Sequence, residues 1–405
     1  MTTPMEGAEA TAGRDPVHIC LVAGEHSGDH MGAQMMKALR RRLDDKVRFS
    51  GVGGAEMTAE GADLGFDSFF PMAELAIGGI FEILPHVPRV LRRVRETAEQ
   101  VRELRPDVLL TIDSPAFAFR VGRKLKGSGI PHVHYVAPTV WAWRPRRARM
   151  IAGFLDHLLT IFPFEEPYFS KWGLASTFVG HPAADLELEK GDGARFRAAH
   201  GLSAEQPLLC VLPGSRRSEV AKLLPIYGEV VARLGGRFRD LTVVLPTVDT
   251  VASTVREAAA NWPVPVIVVE GQDARRDAFA ASDAALAASG TVTYELAMAE
   301  VPMVIAYRMA TASAAVIRRM IRISHASVVN IILGHPVAPE CLQENCTPGV
   351  LVGEVGALLG DPEARARQKT DLAQVAKLLG RGGPSVSDAA ADALLGVIAK
   401  HRAAL

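Results

Sequence analysis

Four loops of this chain combine acids, hydroxyls, glycines and arginines at spacings that chemistry can use. The first, AGEHSGDHMGAQ (23–34), has glycines and a serine, yet it carries Glu25 and Asp29 where a phosphate would want positive partners. It matches neither the P-loop pattern nor G-x-G-x-x-G, so it suits sugar hydroxyls better, with Ser27 and the loop amides as further contacts. Asp29 has a second reading as a cap of the helix that follows. The second loop closes DVLLTID, where Asp113 stands before Ser114 and Pro115. Its carboxylate is placed to take a proton from an attacking hydroxyl, or else to make an Asx-type turn ahead of the proline.

The other two loops read as anion sites. In LPGSRRSEV (212–220), Gly214 and Ser215 allow close main-chain approach, a helix N-terminus favours negative charge, and Arg216 adds a fork-shaped cation. In ASGTVTYE (288–295), Ser289, Gly290 and Thr291 open a helix whose amides suit a diphosphate, and Glu295 is placed to accept from ribose hydroxyls. Either loop alone is a common turn; both in one half of the chain point to a nucleotide.

Two more stretches mix apolar and basic residues. HYVAPTVWAWRPRRARMI (134–151) sets Trp141 and Trp143 beside Arg144, Arg146, Arg147 and Arg149, which suits a phosphorylated small substrate or cation stacking on indole. MAELAIGGIFEILPHVPRVLRRV (72–94) spaces Ile77, Ile80, Phe81 and Leu84 as one helical face, followed by several arginines. That face suits either the core or an acyl chain at an anionic membrane surface, and AVIRRMIRI (315–323) repeats the mixture.

The elements that must hold these loops follow from the pattern of apolar runs. VHICLVA, RFSGV, DVLLTID, HVHYV, HLLTIF and TFVG read as buried strands separated by helical segments, and PLLCVLP, LTVVLP, VPVIVVE, AALAAS and PMVIAY repeat the scheme. The fold class is therefore α/β, with two doubly wound, Rossmann-like domains facing a central cleft. Residues 1–15 lack the apolar core of a signal peptide and read as a disordered tail, which predicts a cytoplasmic protein. Residues 16–188 form the first domain, 189–375 the second, and 376–405 a helical segment packing back on them. A length of 405 residues accommodates both domains.

Lys plus Arg and Asp plus Glu number 45 each, which argues against a nucleic-acid partner, and no apolar run is long enough for a membrane span. Cys20, Cys210, Cys341 and Cys346 lack paired metal spacing and read as buried reduced thiols, so no metal and no cofactor are expected.

Taken in order, AGEHSGDHMGA, GVGGAEM, GGIFEIL, PDVLLTIDSP, HYVAPTVWAWR, FPFEEPYF, FVGHPAAD, LPGSRRSEV, ASDAALAASGTVTYELA, PMVIAYRM and NIIL…APECLQ resemble the lipid-A-disaccharide synthases, from about residue 17 to 350. The resemblance implies the GT-B glycosyltransferase architecture, with the UDP donor held by the second domain and the acceptor facing the first. It implies metal-independent transfer of 2,3-diacylglucosamine from UDP-2,3-diacylglucosamine to the 6-hydroxyl of 2,3-diacylglucosamine 1-phosphate, giving a β-1,6-linked disaccharide and UDP, at the cytoplasmic face of the inner membrane. Asp113 matches the family's IDAP aspartate, the leading general base, with Glu25 as the other catalytic candidate. Arg216 and Glu295 match nucleotide-site residues, and Asn330 and Gln343 lie in a C-terminal donor motif. Ser27, Asp29 and His181, the last in VGHP, fall on the acceptor side, although His181 also reads as a hinge or core histidine. The chain departs from the family where IDAPDFN becomes IDSPAFAF, with Ala116 and Ala118 for an acid and an amide, and where Val329 replaces a proline. Other readings of the residues are a different two-domain UDP-sugar enzyme, such as an epimerase or cell-wall glycosyltransferase, or a non-catalytic lipid-binding protein. A homodimer is compatible with the sequence, which does not fix the oligomeric state.

Overall fold

The computed structural model describes residues 16–75, 86–143, 145–309 and 325–404. Two six-stranded parallel sheets organise them. The first contains β1 (Val17–Ala23), β2 (Val47–Val52), β3 (Val108–Ile112), β4 (His132–Tyr135), β5 (His157–Thr160) and β6 (Ala175–Phe178), in the order β2-β1-β3-β4-β5-β6. The second contains β7 (Leu208–Leu212), β8 (Thr242–Pro246), β9 (Val266–Val269), β10 (Ala284–Ala288), β11 (Met303–Tyr307) and β12 (Glu340–Leu342), in the order β12-β11-β10-β7-β8-β9.

Helices cover both faces of such a sheet, which is why its inner strands are continuous apolar runs. Every residue of β3, β7, β8 and β10 is buried. The edges differ. β6 was expected to be buried, but it has only one neighbour, and its residues are half-buried or exposed. β12, a three-residue edge strand beginning with Glu340, carries too short a pattern to be read from sequence.

Both sheets reverse direction beside their first strand: β1 lies between β2 and β3, and β7 between β8 and β10. Connections leave these strands toward opposite faces, so a crevice opens at their carboxyl ends. The loops after β1, β3, β7 and β10 are the four that residue types alone singled out.

The two sheets share packing. One apolar cluster includes Ile19, Leu159, Phe162 and Leu188 of the first half, Leu296 and Met303 of the second, and Leu394 near the end of the chain. Between the sheets, Phe162 meets Tyr294 at 5.7 Å between ring centroids. Beneath these rings lies Glu165, buried, accepting from Trp141 Nε1 at 3.3 Å and from the amides of Ile161 and Phe162 at 3.3 and 3.1 Å. Burial outweighs these three donors and pushes its pKa up to about 7.

The chain crosses between the sheets twice. The first crossing runs through short turns at Pro182–Leu186 and Leu188–Lys190; the second comes back near residue 380. The two crossings touch: the His181 amide donates to Leu379 O at 2.8 Å, and Asp185 accepts from the Val386 amide at 3.0 Å. After the second crossing, the helix Val386–Ala404 lies along the helix His26–Leu43, with Arg41 and Arg42 pairing with Asp388 and Asp392. Farther along, Arg402 pairs with Asp107 at 2.7 Å. Among the described residues no helix is long and apolar enough to cross a membrane, and all four cysteines are free and buried.

Candidate active site

The first crevice is built by the loops after β1 and β3. Gly24 lies so close to the second loop that a Cβ there would fall 2.4 Å from Ser114 Oγ, so only glycine lets the two loops meet. Glu25 is the N-cap residue of His26–Leu43, in extended conformation, with its side chain making no cap hydrogen bond. It points into the cleft instead. Partial loss of water raises its pKa, the Asp113 carboxylate raises it further, and Arg216 opposes both.

Asp113 and Ser114 are consecutive non-glycine residues at φ +48° and +43°. Such left-handed pairs are uncommon and concentrate where strain serves a site. The turn holds because the Asp113 amide donates to Tyr135 O at 3.0 Å and Ser27 Oγ donates to Asp113 Oδ2 at 3.2 Å. Asp113 is thereby half-buried at the head of β3, within reach of solvent, and oriented from two sides.

The second crevice is a cavity of about 270 Å³ lined by Gly214, Ser215, Arg216, Glu219, Thr247, Arg275, Ser289, Gly290, Thr291 and Glu295, among others. Gly214, at φ +111°, turns β7 into the helix Arg217–Gly235, and a Cβ there would meet Glu219. Arg216 pairs with Glu219 at 2.9 Å while its side chain stays 79% exposed. An ion pair so exposed is worth little. At the cavity base Arg275 Nη1 lies 3.1 Å from Glu295 Oε2, and burial raises the Glu295 pKa against that arginine's pull. Thr247 Oγ1 and Arg275 Nε are buried there without hydrogen-bond partners, groups that a polar ligand would satisfy. Sequence reading missed Thr247 and Arg275. Thr247 was accessible by the rule that ligands sit beyond strand ends, since it follows β8 directly, whereas no local motif marks Arg275.

Several expected site residues are placed elsewhere. Asp29 is fully buried and accepts from the amides of Gly54, Glu56 and Met57 at 2.7, 3.0 and 3.1 Å. It caps the helix Ala55–Gly61 instead of its own helix, and has no face left for an acceptor. His181 is buried against Phe162 and Tyr294, and its Nδ1 accepts from the Ala183 amide. Burial lowers its pKa to about 4, so it is a neutral part of the domain junction. Asn330 is also spent on the fold: its amide donates to Ala338 O and Glu340 Oε1 and accepts from the amides of Val337 and Ala338. Gln343, at the end of β12, accepts from the Met309 amide at 3.4 Å and remains half-buried. Ile77, Ile80, Phe81 and Leu84 lie outside the described residues. Among those described, no group of three or more His, Cys, Asp or Glu side chains is placed to hold a metal.

The family model described as lipid-A-disaccharide synthetase matches residues 19–393, which span both crevices and all four loops. The chain belongs to that family. It is 51% identical over 388 residues to the lipid-A-disaccharide synthase of Rhodospirillum centenum, covering 95% of this chain and 96% of that one. With the enzyme of the same name from Paramagnetospirillum magneticum it shares 47% over 384 residues, covering 94% and 97%. Among solved structures it is similar to UDP-GlcNAc 2-epimerase from Neisseria meningitidis, with TM-score 0.62 and 12% identity, covering 94% of this chain and 100% of that one. It is also similar to Acinetobacter baumannii MurG, with TM-score 0.60 and 16% identity, over 94% and 100%. At such identities these two speak for the paired Rossmann-like fold alone. The enzyme class comes from the family.

Proposed function

We propose that this protein joins two acylated glucosamines, transferring 2,3-diacylglucosamine from its UDP conjugate to O6 of 2,3-diacylglucosamine 1-phosphate. The observation that carries the reading is the electrostatic meeting at Glu25, where a carboxylate of its own domain and a guanidinium of the other act on one side chain. Base and donor cation thus serve one cleft. Asp113 takes the O6 proton while O6 attacks the anomeric carbon opposite the departing oxygen, the sugar–phosphate bond breaks, and its electron pair leaves with UDP. The amides at the start of Arg217–Gly235, with Arg216 released from Glu219, neutralise the departing diphosphate. Glu25, with raised proton affinity, hydrogen-bonds a sugar hydroxyl beside the reacting centre, and Thr247, Arg275 and Glu295 take the nucleoside end. The acylated substrates bring the enzyme to an anionic membrane surface.

The test is mass spectrometry of products after incubating the purified protein with both substrates in detergent. A tetra-acyl disaccharide monophosphate with equimolar UDP is expected. UDP without disaccharide would indicate another acceptor, and no UDP from any acceptor would overturn the enzymatic reading.

A further inference from the structure

The tryptophan–arginine stretch has no part in the chemistry above, yet it forms the wall of an open groove of about 1000 Å³. Pro115, Ala116, Phe119, Arg120 and Arg123 of the helix Pro115–Leu125 face Trp143, Pro145, Arg146, Arg147 and Met150 across it. Three features of this groove matter together.

The first is position. Pro115 and Ala116 follow Asp113 by two and three residues, so the groove starts at the strained turn that presents the base.

The second is charge. Four of the ten lining residues are arginines and none is an acid. Elsewhere in the molecule arginines such as Arg40, Arg93, Arg195, Arg197 and Arg381 sit on carboxylates. Among the described residues Arg120, Arg123 and Arg146 have no such ion pair: Arg120 donates to its own helix at Ala116 O, and Arg123 lies over the Phe154 ring at 5.8 Å. Exposed guanidinium forks gathered without a counter-charge match the oxygens of a phosphomonoester.

The third is the apolar lining. Trp143 and Met150 are 38% and 39% exposed on the groove rim, and Arg147 lies 5.2 Å over the Phe119 ring, so cation and hydrocarbon alternate along the wall. A ligand fitting this groove carries a phosphate on a body with apolar substituents, as an amphiphile does.

We propose that this groove holds the phosphomonoester of the acceptor sugar, with Arg120, Arg123 and Arg146 as its cations. This rests on the acceptor named above, whose phosphate on C1 and reacting hydroxyl on C6 flank the ring oxygen of one sugar. Phosphate in the groove would turn that hydroxyl toward Asp113. Ala116 is exposed on the groove wall. Ala118, buried in the same helix, plays no part. These arginines are specificity-determining residues; they do not touch the reacting atoms.

The experiment compares kcat/KM for the phosphorylated acceptor with that for the same acylated sugar lacking the phosphate, in detergent, for the full chain. Wild type is expected to prefer the phosphorylated form strongly. R120Q combined with R146Q is expected to cut that preference at least about tenfold per guanidinium removed, as for lost charge-assisted hydrogen bonds. R123Q, at an exposed position of the same wall, is expected to cut it in the same direction. The KM for the UDP donor, read in parallel, reports whether the variants keep their fold. A preference unchanged in both variants overturns the proposal. So does a wild type that turns over both acceptors equally, which leaves the proposed function standing. A wild type that forms disaccharide from neither acceptor overturns the function and the groove together. Variants that lose only their sedimentation with phosphatidylglycerol vesicles, with preference intact, also overturn it and assign the arginines to the lipid surface.

Discussion

Asp113 carries the sharpest test at the scale of one residue. Its left-handed backbone is tolerated by asparagine almost as well as by aspartate, so D113N removes the base and spares the turn. Turnover is expected to fall by about 10²–10⁴-fold, with UDP affinity by calorimetry unchanged; equal loss of both would move the base elsewhere. Asp29 makes the opposite case. Removing its buried carboxylate leaves three amides without their acceptor, the Met57 amide among them buried, so D29A is expected to lose about 2–3 kcal/mol of stability. Its melting temperature should drop while the acceptor KM of the folded fraction holds. The two aspartates looked alike in sequence because residue type shows an acid near a glycine turn and does not show which amides will surround it. Asn330 and His181 show the same thing: each is a polar residue in a motif whose side chain accepts from nearby main-chain amides, those of Val337 and Ala338 and that of Ala183.

Elements were far more legible. A strand buried on both faces needs an uninterrupted apolar run, and β3, β7, β8 and β10 announced themselves that way, whereas β6, read as buried, is half-buried or exposed. Pairing order was not legible, since no side chain states that β1 sits between β2 and β3, yet the pattern of loops at strand ends pointed to the right turns. What holds those turns together is steric and testable. G24A would drive a Cβ into Ser114, separating the loops that carry Glu25 and Asp113, and is expected to cost at least about tenfold in kcat/KM. Adding S114G removes the obstructing side chain and also relieves a left-handed residue. The double variant should recover much of the lost activity. Continued loss in the double variant would mean that Gly24 serves ligand approach and not loop contact.

For the molecule as a whole, the junction between the domains has its own titration. Glu165 titrates near 4.5 when unfolded and near 7 when folded, so folding favours its protonated form. That contribution is complete below about pH 4.5 and is lost as pH rises through about 7, roughly 3 kcal/mol in all. His181, lowered to about 4, works the other way on acidification below 6.5, so the informative quantity is a difference. The melting temperature of wild type minus that of E165Q is expected to fall between pH 5 and pH 8, and parallel curves would remove Glu165 from the account. Of this junction the sequence showed His181 as a hinge or core residue but not the ring contacts, because FPFEEPYF and the tyrosine of GTVTYE lie in different domains and meet only in the folded protein. The helix Val386–Ala404 has a further consequence. Arg41 waits for Asp388, 347 residues downstream, so a ribosome has made the entire second domain before the first can cover its own flank. The contacts that cover the flank of His26–Leu43 therefore cannot form until the whole chain is made, although domains usually fold in the order in which they emerge.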